Sequence, residues 1–550
     1  MAQGTPLTEE ARRHYHHFDR ESIAFLRSRY NRITRWVIAD IVRRSAYRYP
    51  EKPALIFGDQ TMTYAELEEA ANRVAQGLLA LGLKRFDRVA ILAHNTIHHV
   101  LTWLGTAKAG GIYLAINYLL RGKDIAYCIN HSEARFFIVE DALAELVDGV
   151  LDDMPTVSHR LWSNQGAGRP APEGWLDFDT WANAQSNKEP DVLLYIEDPV
   201  QMTYTSGTES LPKGVVLTNQ SLMAQYMGCI VDGEYSPSDV NLNALPIFHC
   251  AQRDVFLTPF FWLGATNVLL PTADVPTILQ KIEEHRATVF FAPPTVWIGL
   301  LRHPDFDKRD LSSVQKGYYG ASIMPIEVLK EIQRRLPSCQ RLYNYYGQTE
   351  LSPYHTILKP ADQLIKPGSA GMGGLNMETA LLDDLCRPVT GFGIPGEIGG
   401  RGPHVMLMYF KDPDKTEEAM AGGWFHSGDV GVYDEERYIT VVDRKKDMVK
   451  TGGENVSTRE VEEVIYKDPR VSEVAVIGVP HPKWIEAVTA IVVPKAGERL
   501  AEEEIVALCK KELAPFKVPK AVVLVEELPK TPTGKILKRD LRRHYQSLFS

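Results

Sequence analysis

Short apolar runs alternate with helical segments for several hundred residues of this chain, and that alternation narrows its architecture more than any other feature. Arg88-Val89-Ala90-Ile91-Leu92 reads as a buried strand, and Phe136-Phe137-Ile138-Val139 and Val289-Phe290-Phe291 are strand-like runs of the same kind. Tyr64, Leu67, Ala71, Val74, Leu78 and Leu81 recur at spacings of three and four, which predicts a helix over 64–81. Thr63 and Glu66 form a capping box at its start, and Gly82 stops it. A second helix is predicted near Ile326–Arg335. Such alternation predicts an α/β fold with layered, largely parallel sheets. The sequence shows neither an internal repeat nor a low-complexity stretch.

Near Tyr433–Val442 the pattern changes to short strands and tight turns, and Asp443-Arg444-Lys445-Lys446-Asp447 follows as a charged junction. Beyond it lies a compact mixed unit, with predicted helices at Glu460–Tyr466 and Glu502–Leu513 and strands at Val474–Val479 and Val488–Val493. The expected division is therefore a large domain over 1–443 and a small α+β domain over 444–550, consistent with a chain of 550 residues.

The net charge of -9 argues against a general nucleic-acid binder. Charge is uneven, however. Residues 1–48 carry ten arginines against five acids, a basic helical arm of +5 on a remainder of -14. Two readings stay open for it: a solvated arm packed on the domain, or a contact with an anionic membrane surface or a partner. The six cysteines, at 128, 229, 250, 339, 386 and 509, show no CxxC spacing, which points to reduced thiols in a cytoplasmic protein. The N-terminus lacks the apolar core of a signal peptide, and runs such as Phe260–Leu270 fall short of a membrane span.

The chemistry centres on Thr205-Ser206-Gly207-Thr208-Glu209-Ser210-Leu211-Pro212-Lys213-Gly214, set between the plausible strands Val200–Tyr204 and Val215–Leu217. Polyphosphate needs many hydrogen-bond donors with little bulk. Glycines let main-chain N–H groups approach, hydroxyls donate further bonds, and Lys213 offsets charge. The spacing is not that of a Walker loop, and taken alone the segment also reads as a polar hairpin.

With four further segments in order, this loop resembles the phosphate loop of adenylate-forming ligases: acyl-CoA synthetases, beetle luciferases and peptide-synthetase adenylation domains. The segments are Tyr343–Glu350, Gly423–Gly431, Asp443–Asn455 and Pro529–Ile536, and the resemblance runs from about residue 45 to 545. Family members usually have Thr-Gly where this chain has Glu209-Ser210. The resemblance implies a large N-terminal domain of layered sheets with a small β-barrel-like part, and a small mobile C-terminal domain. It implies ATP, Mg²⁺ and CoA as the small molecules used. Thr205, Ser206, Gly207, Thr208, Lys213, Gly320, Ala321, Tyr345, Tyr346, Gly347, Asp429 and Arg444 would contact ATP or AMP. Among them Tyr346 would stack on adenine, and Asp429 and Arg444 would meet the ribose. Thr205 and Glu350 would serve the metal. Lys446 falls at the hinge, Gly452 and Gly453 at the pantetheine tunnel, and Lys535 at the adenylation lysine, with Thr349 and His249 completing the reacting centre.

The implied reaction is ATP-dependent ligation of a carboxylic acid to CoA through acyl-AMP, with pyrophosphate and then AMP released. Asp254 is a weak counterpart to the aspartate with which peptide synthetases pair a substrate ammonium. Phe256, Phe260, Phe261, Trp262, Val296, Trp297, Tyr318 and Tyr319 read equally as an apolar acid pocket or as core. A fatty or other apolar acid is expected. Acyl-AMP ligases that serve a carrier protein typically read Gly-Arg-Asn where this chain has Gly453-Glu454-Asn455, and they form the alternative. A luciferase-like oxidation and a non-catalytic nucleotide-binding protein are the others. Whether the assembly is a monomer or a homodimer is left open.

Overall fold

The computed structural model describes residues 8–205, 212–445, 447–451, 454–530 and 536–549. The predicted capping box forms: the Thr63 hydroxyl accepts from Glu66 N–H at 3.2 Å, and the Glu66 carboxylate accepts from Thr63 N–H at 2.8 Å. It opens the helix Tyr64–Ala80. That helix packs on Ile97–Ala109, which is buried at every position. A helix without a solvated face has to lie between other layers. The apolar core it joins draws on both large sheets, with Leu55 and Leu269 from one and Val89 and Val215 from the other.

The first large sheet has eight strands, in the order 408–409, 213–218, 199–205, 112–115, 88–92, 136–140, 159–163 and 176–177. Its pairings are parallel from 199–205 onward. The second has nine strands, parallel from 341–346 through 316–320, 289–291, 240–243 and 266–269 to 53–57. The apolar runs of the sequence fall inside these sheets, where helices cover both faces and no side-chain alternation is required.

A four-stranded antiparallel sheet follows, 378–382, 396–401, 425–433 and 439–444, as the smaller β part of the N-terminal region. A bridge between Gly371 and Ile439 ties it to the nine-stranded sheet. Strand Ile439–Arg444 is its last member, and the next strand, Val449–Thr451, belongs to a separate five-stranded sheet. That sheet carries the helices Thr458–Ile465, Glu502–Glu512 and Lys538–Tyr545. The α/β class with a large layered part and a smaller α+β unit is therefore the one observed.

The basic arm forms the helices Glu9–Arg13, Arg20–Arg29 and Asn31–Thr34. Asn31 donates to Leu194 O at 2.8 Å, and Arg32 and Arg35 both pair with Glu189. The arm is thus moored to the segment that leads into strand 199–205. Its outer side keeps Phe18 99% exposed, together with Ile33 and several arginines.

Candidate active site

Strands Pro199–Thr205 and Lys213–Thr218 form an antiparallel hairpin in which Thr205 pairs with Lys213. Ser206, Gly207 and Thr208, with the departure at Glu209-Ser210, lie outside the described residues. The flanks are held on both sides by one helix, Gly122–Ser132. His131 Nδ1 is 2.8 Å from the Tyr204 hydroxyl, and Tyr127 donates to Pro212 O at 3.2 Å.

The adjacent parallel strands Lys316–Gly320 and Arg341–Tyr346 end side by side, with Gly320 opposite Tyr345. A Cβ on Gly320 would stand 2.6 Å from Tyr345 O, so the two chains approach closer than any side chain allows. Ala321 follows at φ 66°, a left-handed conformation that turns the chain out of the sheet. Side chains alternate along a strand, which separates the two tyrosines. Tyr345 enters an aromatic cluster with Tyr354, Phe256 and Tyr318. Tyr346 points the other way, and its hydroxyl donates to Asp429 Oδ2 at 2.7 Å. Burial and Asp429 raise the Tyr346 pKa, so the phenol keeps its proton. Asp429 sits opposite Arg444 in the small sheet, with Nε 3.4 Å from Oδ1. Gly347 comes next, where a Cβ would fall 1.8 Å from Pro353 O.

A single short turn, Thr349–Leu351, then presents Thr349 and Glu350. Glu350 is half-buried, and its Oε1 accepts from the Tyr409 hydroxyl at 2.9 Å. Burial raises its pKa, against the opposing pull of Tyr409, Lys213 and Arg444. A carboxylate has about four lone-pair sites, so the bond from Tyr409 leaves capacity for a hard cation or its water. The donor set therefore fits Mg²⁺, with Glu350 as the residue that would hold it. Among the described residues, no group of three or more His, Cys, Asp or Glu is placed to hold a metal by itself.

The Thr349 hydroxyl lies 3.2 Å from Cys250 Sγ. Burial pushes the Cys250 thiol up to about 12, so it is not a thiolate at neutral pH. His249 Nδ1 accepts from Ala251 N–H at 3.2 Å, which leaves the proton of the neutral ring on Nε2. The ring is reachable by solvent, yet the protein packed around it and then Arg253 lower its pKa.

His249 precedes a π-helical turn, Ala251–Leu257, that the sequence pattern did not announce. In it Arg253 and Asp254 pair at 2.9 Å with both side chains buried. Arg253 also donates to Ile247 O, while Asp254 accepts from Gln201 and Tyr226. Every direction around that carboxylate is taken, so it is not free for a substrate ammonium. Phe256, Phe260, Phe261, Trp297, Tyr318 and Tyr319 are all buried, and Phe256 stacks on Phe291 at 4.3 Å. Of the two readings of these aromatics, core describes them; Trp262 and Val296 are only half-buried.

Lys446, Gly452, Gly453 and Lys535 lie outside the described residues. Their neighbours are placed. Lys445 donates through its main chain to Gly428 O at 2.8 Å and through Nζ to Glu397 at 2.9 Å. Glu397 also receives Gly428 N–H and is 3.0 Å from His426 Nδ1. Burial opposes its charge, but His426 and Lys445 prevail and hold its pKa below the usual glutamate range. Lys530 and Ile536 form a backbone bridge across the Lys535 motif. Glu397 and Tyr409 are the residues at this site that motif reading missed. Both belong to short strands without a phosphate-like or metal-like composition.

The strand ends that carry Gly320, Tyr346 and Arg444 thus converge with Asp429, with the Thr349–Leu351 turn and, through Tyr409, with Lys213 of the hairpin, as the resemblance to adenylate-forming ligases leads one to expect. The comparisons agree with that class. The chain belongs to the AMP-binding enzyme family, whose profile matches residues 42–410, and the C-terminal domain of that family matches 460–535. Feruloyl-CoA synthase from Amycolatopsis sp is 34% identical over 505 residues, covering 91% of this chain and 98% of that protein. A long-chain-fatty-acid–CoA ligase from Bacillus subtilis is 32% identical over 532 residues, covering 92% and 94%. Among solved structures, ATP-bound MatB from Rhodopseudomonas palustris superposes with a TM-score of 0.84 at 28% identity, covering 93% of this chain and all of that one. Among the described residues, no helix is long and apolar enough to cross a membrane.

Proposed function

We propose that this chain is an ATP-dependent acid–CoA ligase that forms acyl-AMP and then acyl-CoA, acting on a fatty or other apolar acid. The observation that carries the nucleotide half is the Tyr346–Asp429–Arg444 chain of contacts at the mouth between Gly320 and Gly347. A flat ring beside a carboxylate matches a purine beside a ribose, whose two hydroxyls a carboxylate can accept together. The CoA half rests on relatives that are CoA ligases along nearly their whole length.

A free carboxylate is a poor acyl donor, and attaching AMP supplies a leaving group. The difficulty is approach: at about 4 Å and an effective dielectric near 20, two unit charges repel by roughly 4 kcal/mol. Bound Mg²⁺ would supply charge neutralisation at the phosphates. Lys213 at the hairpin and Lys535 from the small domain would hold phosphate and carboxylate oxygens during in-line displacement of pyrophosphate. A CoA thiol then attacks the acyl carbonyl, and AMP departs. Two half-reactions with different neighbours call for a turn of the small domain about Lys446, which would withdraw Lys535 and bring up the Gly452-Gly453 segment.

Asp254 supports the acid class: its carboxylate is already committed to Arg253, Gln201 and Tyr226. An α-amino acid would find no partner there, whereas an alkyl or aryl acid needs none. A pyrophosphate-release screen across alkyl, aryl and amino acids, with and without CoA, tests both halves. Turnover with apolar acids that requires CoA for acyl-thioester formation is the expected result. Release confined to amino acids, or an acyl-AMP that CoA never consumes, would overturn it.

For the arm, exposed Phe18 and Ile33 beside exposed Arg12, Arg13, Arg20 and Arg29 support a contact with anionic lipid. Cosedimentation with phosphatidylserine-containing vesicles should exceed that with phosphatidylcholine alone and fall with salt. Equal binding to both vesicle types would remove the case for a lipid contact.

A further inference from the structure

Residues 406–410 stitch together two parts of the site that are distant in sequence. Met406 N–H donates to Glu350 O at 2.7 Å, so one end of the segment grips the Glu350 turn. Leu407 N–H donates to Val216 O and Phe410 N–H to Gly214 O at 2.8 Å, so the other end is paired to the hairpin strand that starts at Lys213. Tyr409 N–H is fixed by the Thr416 hydroxyl at 3.1 Å. The Tyr409 side chain therefore enters the site from a backbone anchored on both flanks.

That side chain meets two opposite charges. Its hydroxyl donates to Glu350 Oε1 at 2.9 Å, and the Lys213 ammonium lies 4.4 Å from its ring centre. A cation over an aromatic face is attracted by the ring quadrupole. Among the described residues, no ion pair links Lys213 directly to Glu350. A lysine and a glutamate within reach of each other would otherwise pair and cancel, leaving neither for ligand.

We propose that Tyr409 is a positioning residue that keeps the phosphate-binding ammonium of Lys213 and the cation-binding carboxylate of Glu350 aligned but apart. It acts through those two groups and touches no reacting atom. This rests on the ATP reading given above. The hydroxyl serves Glu350, hence the Mg²⁺ response, and the ring serves Lys213, hence the polyphosphate itself. Removing the hydroxyl alone and removing the whole ring should therefore give different losses.

The test is binding of a fluorescent ATP analogue, with and without Mg²⁺, to the wild-type chain, Y409F, Y409L, E350Q and the double variant Y409F/E350Q. Y409F should bind the analogue without Mg²⁺ within about twofold of wild type and lose about tenfold of the gain that Mg²⁺ gives, as expected for one hydrogen bond to a charged group. Y409L should lose about tenfold without Mg²⁺, reflecting Lys213, and about a hundredfold with it, because the hydroxyl's tenfold share of the Mg²⁺ gain is lost as well. In the E350Q background, Y409F should add less than about twofold, because its effect passes through Glu350. Equal weakening of Y409F with and without Mg²⁺, or full additivity with E350Q, overturns the proposal, as does a Y409F with unchanged Mg²⁺ response. Thermal melts accompany each variant; if Y409L does not fold, the Y409F and double-variant data decide alone. A wild-type chain that binds no nucleotide overturns the ATP reading itself, whereas nucleotide binding with a full Mg²⁺ response in E350Q overturns the role of Glu350 and with it that of Tyr409.

Discussion

Replacing Lys535 by alanine should nearly abolish acid-dependent pyrophosphate release while largely sparing thioester formation from synthetic acyl-AMP and CoA. A lysine that bridges the carboxylate and the α-phosphate gains contact as charge shifts between them, so its removal costs the displacement step more than binding. The loss of one such donor is typically about 10²–10³ in rate. The second half-reaction starts from a mixed anhydride already made and needs no cation between two anions. Rapid-quench measurement of each half separately is the decisive experiment. Equal loss in both would mean that Lys535 supports the fold or CoA binding instead. Unchanged pyrophosphate release would remove it from the chemistry altogether.

Gly347→Ala should damage ATP use severely for the addition of a single methyl group. The added Cβ would lie 1.8 Å from Pro353 O, 2.9 Å from Pro353 C and 3.0 Å from His355 N. All three are main-chain atoms, so no rotamer change can make room. The turn must open, and it carries Tyr346 on one side and Thr349 with Glu350 on the other. Overpacking of this kind costs about 1–3 kcal/mol, and here the displaced parts are the proposed nucleotide contacts. A fall in melting temperature together with a rise in ATP KM of at least about tenfold is expected, since a shift near 1 Å at positioning groups suffices for large losses. Wild-type ATP affinity in a folded variant would show that the turn is not part of the nucleotide site.

The sequence disclosed what local rules govern. Helix Tyr64–Ala80 begins where Thr63 and Glu66 said it would, and strand Arg88–Leu92 has its read boundaries, because capping and apolar runs are encoded by neighbours. The motifs fell into place for a related reason: Gly320, Tyr346 and Arg444 end three strands, and Asp429 pairs with Arg444 from within a fourth, so strand register brings these motif residues together. What stayed hidden depends on tertiary packing. Nothing in Ala251–Leu257 signals a π turn, which accompanies a buried Arg253–Asp254 pair satisfied by Gln201 and Tyr226 from other segments of the chain. The aromatics near Phe256 look alike in sequence whether they line a pocket or fill a core, and the sheet contacts of Phe291 and Tyr318 decide for core. Tyr409 escaped notice because its strand is two residues long and its partners are some 60 and 200 residues away in the chain.

The double anchorage of Lys445 has a mechanical meaning for any turn of the small domain. Its main chain is bonded to Gly428 and its ammonium to Glu397, while two residues later Asp447 N–H reaches only as far back as Arg444 O. If the hinge proposed at Lys446 operates, the flank before it is held at Lys445 and the flank after it at Asp447, which Arg542 of the small domain holds, while the bonds that Ser457, Thr458 and Arg459 donate to Val442, Asp443 and Val441 would have to break. A pivot confined to so few bonds behaves like a pin and not like a tether: it permits rotation about a nearly stationary axis and little translation. The small domain would then return to the same two stations on every cycle, without a search through intermediate placements. Lengthening the pin by inserted glycines should blur those stations before it weakens either one.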